Sequence, residues 1–244
     1  SSDVCSSDLL TDLPDKIRQV NTCEITNRKE YMDAERDLIM YLQKYKDADD
    51  DKIAKAMRGE VMVRINILRQ ISARGKVRDV IEFVKDFREN GKKIILFCSL
   101  HEVVDQLKRY FPTAVSVTGR DSQDEKQRAV DAFQNNPKAD IIICSIKAAG
   151  VGLTLTASSN VAFVEFPWTY ADCCQCEDRA HRIGQKDSVT CYYFLGRRTI
   201  DEKVYRIIQE KKNIANAVTG STEDIEENIV DMVARIFDTD YDDE

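Results

Sequence analysis

Five short runs of nearly uninterrupted apolar residues constrain this chain most: Ile94–Cys98, Ala114–Val117, Ile141–Cys144, Val161–Phe166 and Val189–Leu195. Strands with one wet face alternate apolar and polar side chains; runs without alternation are buried on both faces. Between and after them, about His101–Tyr110, Ser122–Gln134, Tyr170–Arg182 and Ile200–Ala217 carry apolar residues at helical spacing. Strand–helix alternation builds a parallel sheet, and right-handed crossovers put helices on both of its faces. The expected fold is therefore α/β, a doubly wound parallel sheet over residues 92–220.

A helical extension, residues 13–91, precedes that sheet. After an extended stretch, VNTCEIT, apolar residues recur at spacings of three and four from Asn27 to about Tyr45 and from Lys52 to Ile71. A third helix is expected over Val77–Asn90, closed by Gly91. Residues 1–12 open with SSDVCSSDLL, which lacks periodicity and reads as an unstructured or non-native leader. Residues 221–244 form an acidic tail with an apolar stripe, Ile225, Ile229, Val233 and Ile236. That spacing favours a docked amphipathic helix.

The formal net charge is −7 over 244 residues. Such a charge argues against bulk electrostatic coating of nucleic acid. The charge is uneven, however. Lys52–Lys93 carries 12 Lys+Arg against 5 Asp+Glu, and Ser221–Glu244 carries 10 acidic residues against Arg235 alone. The net value conceals a basic segment and an acidic tail. No run of about 18 apolar residues exists, so no membrane span is expected. No secretory segment opens the chain, and an intracellular location is expected. Cys98 and Cys144 fall inside apolar runs and read as small buried hydrophobes. Cys173, Cys174 and Cys176 cluster without a second half at zinc-finger spacing, so a metal site is not expected.

In a doubly wound sheet, ligands gather at the carboxyl ends of the strands. After Ile141–Cys144 comes Ser145-Ile-Lys147-Ala-Ala-Gly150-Val-Gly152-Leu-Thr154-Leu-Thr156. Its glycines suit either a backbone nest for phosphate oxygens or a plain tight strand–helix turn. After Val161–Phe166 comes a loop with Trp168, read as a packed aromatic, and then Gln175-Cys-Glu177-Asp178-Arg179-Ala-His181-Arg182-Ile-Gly184-Gln185. On a helix, Gln175, Arg179 and Arg182 would share one face. Two guanidiniums there suit phosphate oxygens, or else pair with Glu177 and Asp178 on the surface. There is no GxxxxGK[ST] loop, and no GxGxxG follows a strand. Any nucleotide met by these arginines needs most of its contacts from elsewhere.

Gln175–Gln185 resembles motif VI of the Swi/Snf-type helicase-like ATPases, and Ser145–Leu155 resembles their motif V. Ile94–Ser99 is similar to motif IV. Val117-Thr-Gly119 with Arg128 and Phe133 resembles the segment between motifs IV and V. Leu13-Pro14-Asp15-Lys16 is similar to the start of the second motor lobe, and Thr199–Glu202 to the helix after the last strand. The resemblance runs from about Leu13 to Gly220. The wording of Thr154–Ser159 is closer to the annealing-helicase, fork-remodelling branch than to nucleosome remodellers.

The resemblance implies a RecA-like second lobe of an ATP-dependent double-stranded-DNA translocase. It implies Arg179 and Arg182 as catalytic cations, Arg182 being the finger, with Gln175, Gly150 and Gly152 on the ATP side. Ser99, Lys147 and Thr154 would contact DNA phosphates. ATP and Mg2+ would be held mainly by an N-terminal RecA-like lobe carrying the P-loop. Double-stranded DNA and that lobe are the implied partners. The basic helices fit a protrusion bordering the DNA groove, or a solvated face. Two other readings stand beside this one: an ATP-independent helicase-like module binding DNA or protein, and a thiol redox or metal protein built on Cys173–Cys176.

Overall fold

The computed structural model describes residues 14–46, 51–149, 152–212, 230–233 and 237. Six strands form one sheet in the order β1-β6-β5-β2-β4-β3. They are β1 (Lys16–Cys23), β2 (Ile94–Phe97), β3 (Val115–Val117), β4 (Ile141–Cys144), β5 (Asn160–Phe163) and β6 (Val189–Gly196). The helices are α1 (Arg28–Lys46), α2 (Asp51–Glu89), α3 (His101–Tyr110), α4 (Gln123–Asn135), α5 (Ile146–Ala149), α6 (Tyr170–Glu177) and α7 (Ile200–Lys212). The pairs β2–β4, β2–β5, β3–β4 and β5–β6 are parallel, with Ile95 opposite both Ile142 and Val161. Every residue of β2 and β4 is buried, as strands covered on both faces require.

The chain divides into two compact units. The first comprises residues up to Glu24 and Lys76–Leu195, and the second Ile25–Gly75 and residues from Gly196. In the first unit, alternation along β6 sends side chains to opposite faces of the sheet. Tyr192 and Phe194 pack edge-on against Phe83 of α2, at 4.9 and 5.1 Å between centroids. Tyr193 instead stacks on Phe163 at 4.9 Å and on Phe166 at 5.3 Å. Lys76 is buried and its ammonium donates to the Phe194 carbonyl at 2.9 Å. Gly91, at φ +65°, closes α2 as expected: its N–H meets the Arg88 carbonyl, and that of Lys92 the Phe87 carbonyl. Ser122 and Glu125 form a reciprocal capping box at the start of α4.

In the second unit a buried polar network ties the turn after β6 to α1 and α2. Ser72 donates to Asp201 Oδ2 at 2.7 Å, and Gly196 N–H donates to the same oxygen at 3.0 Å. The Ile200 N–H donates to the Tyr31 hydroxyl. Arg28 caps the carbonyls of Arg197 and Arg198. Of the acidic tail, Val230, Val233 and Phe237 are buried. Ile225, Ile229, Ile236 and the leader 1–12 lie outside the described residues.

Two helices differ from the sequence expectation. The helices expected at Lys52–Ile71 and Val77–Asn90 are one 39-residue helix, α2. The small residues Ser72, Ala73 and Gly75 mark close packing rather than a break. A Cβ on Gly75 would lie 2.2 Å from Asn27 Oδ1 and 2.6 Å from Ile25 Cβ. Thr26 N–H donates to the Gly75 carbonyl at 3.1 Å across the same approach. The second difference is α6, which ends at Glu177 rather than running to Arg182.

A charge clasp sits at that end. The Glu177 carboxylate has no exposed surface and takes a two-pronged bond from Arg18 of β1, at 2.8 and 2.7 Å. Lys16 reaches it at 3.2 Å and also bonds Asp178 at 2.7 Å. The Tyr193 hydroxyl donates to its other side. Burial opposes ionisation of Glu177 most strongly, yet the Arg18 bonds and the Lys16 charge together hold the carboxyl below its usual range.

Two predictions follow from this packing. Gly75→Ala is expected to lower stability by about 1–3 kcal/mol, because the added methyl has nowhere to go. Gly59→Ala, in the same helix with nothing within 4 Å, is expected to raise it by about 0.5–1 kcal/mol. Chemical denaturation of both variants checks the opposite signs. Glu177→Gln is expected to cost about 3 kcal/mol at pH 7, since it leaves buried cations unpaired. A lowered folded pKa means this contribution is present above the unfolded carboxyl value. It is lost as pH falls through the folded value. The stability gap between wild type and Glu177→Gln should therefore close below about pH 4, as measured by denaturation at stepped pH.

Candidate functional site

The carboxyl ends of β2, β4 and β5 converge, as the sheet topology demands. After β2, Glu165 Oε2 accepts from the N–H groups of Ser99 and Leu100, at 2.6 and 2.7 Å. That carboxylate serves the start of α3, where Leu100 offers no side-chain cap. The Ser99 hydroxyl accepts from the Ile146 N–H at 3.4 Å, which links the loop after β2 to the start of α5. Ser99 and Lys147 are both exposed. The loops that carry two of the expected DNA-contacting residues thus meet at the carboxyl end of the sheet.

The segment after α5 forms the second part. Gly152 takes φ +75°, a conformation that favours glycine. Gly150 lies outside the described residues. Leu155 N–H donates to the Arg179 carbonyl at 2.9 Å, which stitches this segment to the turn after α6. Gln185 reinforces the stitch: its amide donates to the carbonyls of Ser158 and Ala180, at 3.0 and 3.2 Å. A cleft of about 240 Å³ opens beside it, lined by Val117, Gln123, Lys126, Gly152 and Thr154 among others.

The two arginines lie in the turn that follows α6, so the shared helical face expected for Gln175, Arg179 and Arg182 is not what brings them together. The physical reason is local. The clasp on Glu177 fixes the last residue of α6. The Ala180 and His181 N–H groups then both bond the Glu177 carbonyl, which tightens the chain into a turn. The His181 ring donates from Nε2 to the Pro14 carbonyl at 2.7 Å, fastening that turn to the chain entering β1. Gly184, at φ +102°, reverses the chain beyond. Gln175 stays exposed on α6.

The surroundings of the two guanidiniums differ. Arg182 Nη1 donates to the carbonyls of Gly152 and Leu153 and to Thr154 Oγ1, at 3.2, 3.3 and 3.2 Å. Arg179 is 9% exposed, and its buried Nε has no hydrogen-bond partner. Burial first, and the Arg182 charge second, hold the Arg179 guanidinium below its ordinary pKa. Among the described residues neither arginine forms an ion pair. Glu177 and Asp178, the acidic neighbours offered by the sequence, pair with Lys16 and Arg18 instead.

The sequence reading passed over Lys16, Arg18 and Glu165. Their signal was present for the first two: cations at alternate positions of a strand share one face. Around the cysteine cluster, burial pushes the thiols of Cys173 and Cys176 upward and that of Cys144 up to about 12. Such thiols carry little thiolate at neutral pH, which is the opposite of a redox nucleophile. Among the described residues no three His, Cys, Asp or Glu side chains group to hold a metal ion. No helix among them is long and apolar enough to cross a membrane.

Comparison with known proteins bears on the fold and the domain. The family described as helicase conserved C-terminal domain matches residues 75–184. A Xenopus tropicalis protein, SWI/SNF-related matrix-associated actin-dependent regulator of chromatin subfamily A-like protein 1, is 33% identical over 145 residues, 57% of this chain and 15% of that protein. The human DNA annealing helicase and endonuclease ZRANB3 is 29% identical over 226 residues, 88% of this chain and 20% of that protein. This chain thus spans a fifth or less of either relative. Among solved structures, the C-terminal part of the Fun30 ATPase domain superposes with a TM-score of 0.70, at 16% identity, covering 91% of this chain and 99% of that one. The Sulfolobus solfataricus SWI2/SNF2 ATPase core in complex with dsDNA gives 0.67 at 22% identity, covering 88% and 50%. The sheet has the doubly wound form expected from the apolar runs and the RecA-like fold that the resemblance implied. Residues 75–184 therefore match the helicase conserved C-terminal domain, and the chain is similar to SWI/SNF-related and annealing-helicase proteins over part of their length.

Proposed function

We propose that this chain is the second motor lobe of an ATP-dependent double-stranded-DNA translocase. The observation that carries the reading is the pair Arg179 and Arg182. Both stand beside the 152–155 segment, and among the described residues neither forms an ion pair with a carboxylate. Guanidiniums without an acidic partner fit phosphate oxygens, because the anion then supplies the missing charge and acceptors. The present partners of Arg182 are two carbonyls and a hydroxyl, all neutral, and a phosphate oxygen can replace them.

In this reading Arg179 and Arg182 stabilise negative charge on the transferred phosphoryl group, with Arg182 as the finger. Gln175, Gly150 and Gly152 lie on the nucleotide side. Ser99, Lys147 and Thr154 meet backbone phosphates of double-stranded DNA, contacts that are independent of sequence and sensitive to salt. The P-loop that holds most of ATP and its Mg2+ belongs to an N-terminal RecA-like lobe, the partner across which the site closes. Residues 13–91 supply a protrusion, residues 92–220 the lobe, and residues 221–244 a docked tail. The protein works inside the cell, where its DNA is. The relatives support this reading by their names, an annealing helicase among them, and one structural neighbour was solved with dsDNA.

The test supplies the N-terminal lobe in trans and measures DNA-stimulated ATP hydrolysis. Arg182→Ala is expected to lower the rate by about 10³-fold, the usual effect of removing such a finger. Equal rates for wild type and variant would sink the assignment. DNA binding retained without any turnover would instead favour the ATP-independent module.

A further inference from the structure

In sequence, Arg179 is preceded directly by two carboxylates, Glu177 and Asp178. A guanidinium beside two carboxylates is ordinarily neutralised by them and offers little to a phosphate. Here both carboxylates form their ion pairs with other cations, and Asp178 acts on Arg179 only through its charge, behind burial and the Arg182 charge. Glu177 is held by Arg18 and Lys16, and Asp178 by Lys16, at 2.7 to 3.2 Å. Both cations come from β1, a strand more than 150 residues away in sequence. We propose that Lys16 and Arg18 are positioning residues: by occupying Glu177 and Asp178 they keep Arg179 and Arg182 open to a phosphate-bearing ligand. The proposal rests on the reading that these arginines meet phosphate.

Three features of the structure support it. Glu177 has no exposed surface, so water cannot take the place of its cations. The backbone N–H of Arg179 bonds the Cys176 carbonyl, which holds the arginine within one turn of both carboxylates. Lys16 alternates with Arg18 on one face of β1, so a single strand serves both acids. Without these cations, the Asp178 charge, which already acts on Arg179, has no ion-pair partner among the described residues to hold it away from that arginine.

The experiment titrates the full chain with inorganic tripolyphosphate at low salt, by calorimetry, with circular dichroism and thermal melting as checks of folding. Wild type binds and Arg182→Ala weakens it. Lys16→Ala combined with Arg18→Ala is expected to weaken binding roughly tenfold, the scale of one close charge pair. Adding Glu177→Gln and Asp178→Asn to that double variant should restore it. Adding Asp86→Asn and Glu89→Gln, two exposed acids of α2, changes the net charge equally and should not. Should the double variant melt below the assay temperature, Lys16→Ala alone, with rescue by Asp178→Asn, asks the same question while leaving Arg18 on Glu177. The idea falls if the β1 variants bind as wild type does, or if the α2 neutralisation rescues equally well. If wild type binds no tripolyphosphate, or Arg182→Ala leaves its affinity unchanged, the phosphate reading of the arginines fails, and this proposal with it.

Discussion

The carboxylate of Glu177 is buried without any exposed surface, and much of the local chain path follows from how that burial is compensated. An ion in such a place is tolerated when its lone pairs are all engaged. Arg18 engages one side with both prongs, Lys16 adds charge, and Tyr193 donates its hydroxyl. Three elements, β1, β6 and α6, are therefore fixed to one atom group. Moving any of them exposes a buried charge, so the end of α6, where the arginine turn begins, is pinned to β1 and β6.

The strands were legible in the sequence and the turn was not. Ile94–Phe97 and Ile141–Cys144 are apolar without alternation because both faces are covered, a constraint each strand carries in its own residues. The helix over His101–Tyr110 shows its buried face, Val103, Val104 and Leu107, in the same local way. The end of α6 depends instead on Lys16 and Arg18, about 160 residues distant. No local periodicity encodes that pairing, so an apparently helical stretch to Arg182 was the natural expectation.

The opposite error occurred in α2. Ser72-Ala-Arg-Gly75 looks like a helix interruption, since glycine is a poor interior residue. Its cost is offset by the approach of Ile25 and Asn27, which no larger residue permits. Gly75 and Gly152 therefore mean different things. Gly75 is demanded by space, Gly152 by a backbone angle. Sequence shows the residue in both cases and its reason in neither.

The arginine turn shows why the site needed the fold to become readable. Burial makes any uncompensated cation costly, yet Arg179 sits 9% exposed beside Arg182 with a bare Nε. A folded chain keeps such an arrangement when the surrounding structure over-determines it. Here the surroundings are specific: Leu155 bonds the Arg179 carbonyl, His181 bonds Pro14, and Gln185 gathers Ser158 and Ala180. Each of these bonds restrains backbone on either side of the arginines without engaging their guanidiniums. The buried Arg179 charge interacts more strongly with an anion that reaches it than the exposed Arg182 charge does, because less water screens it.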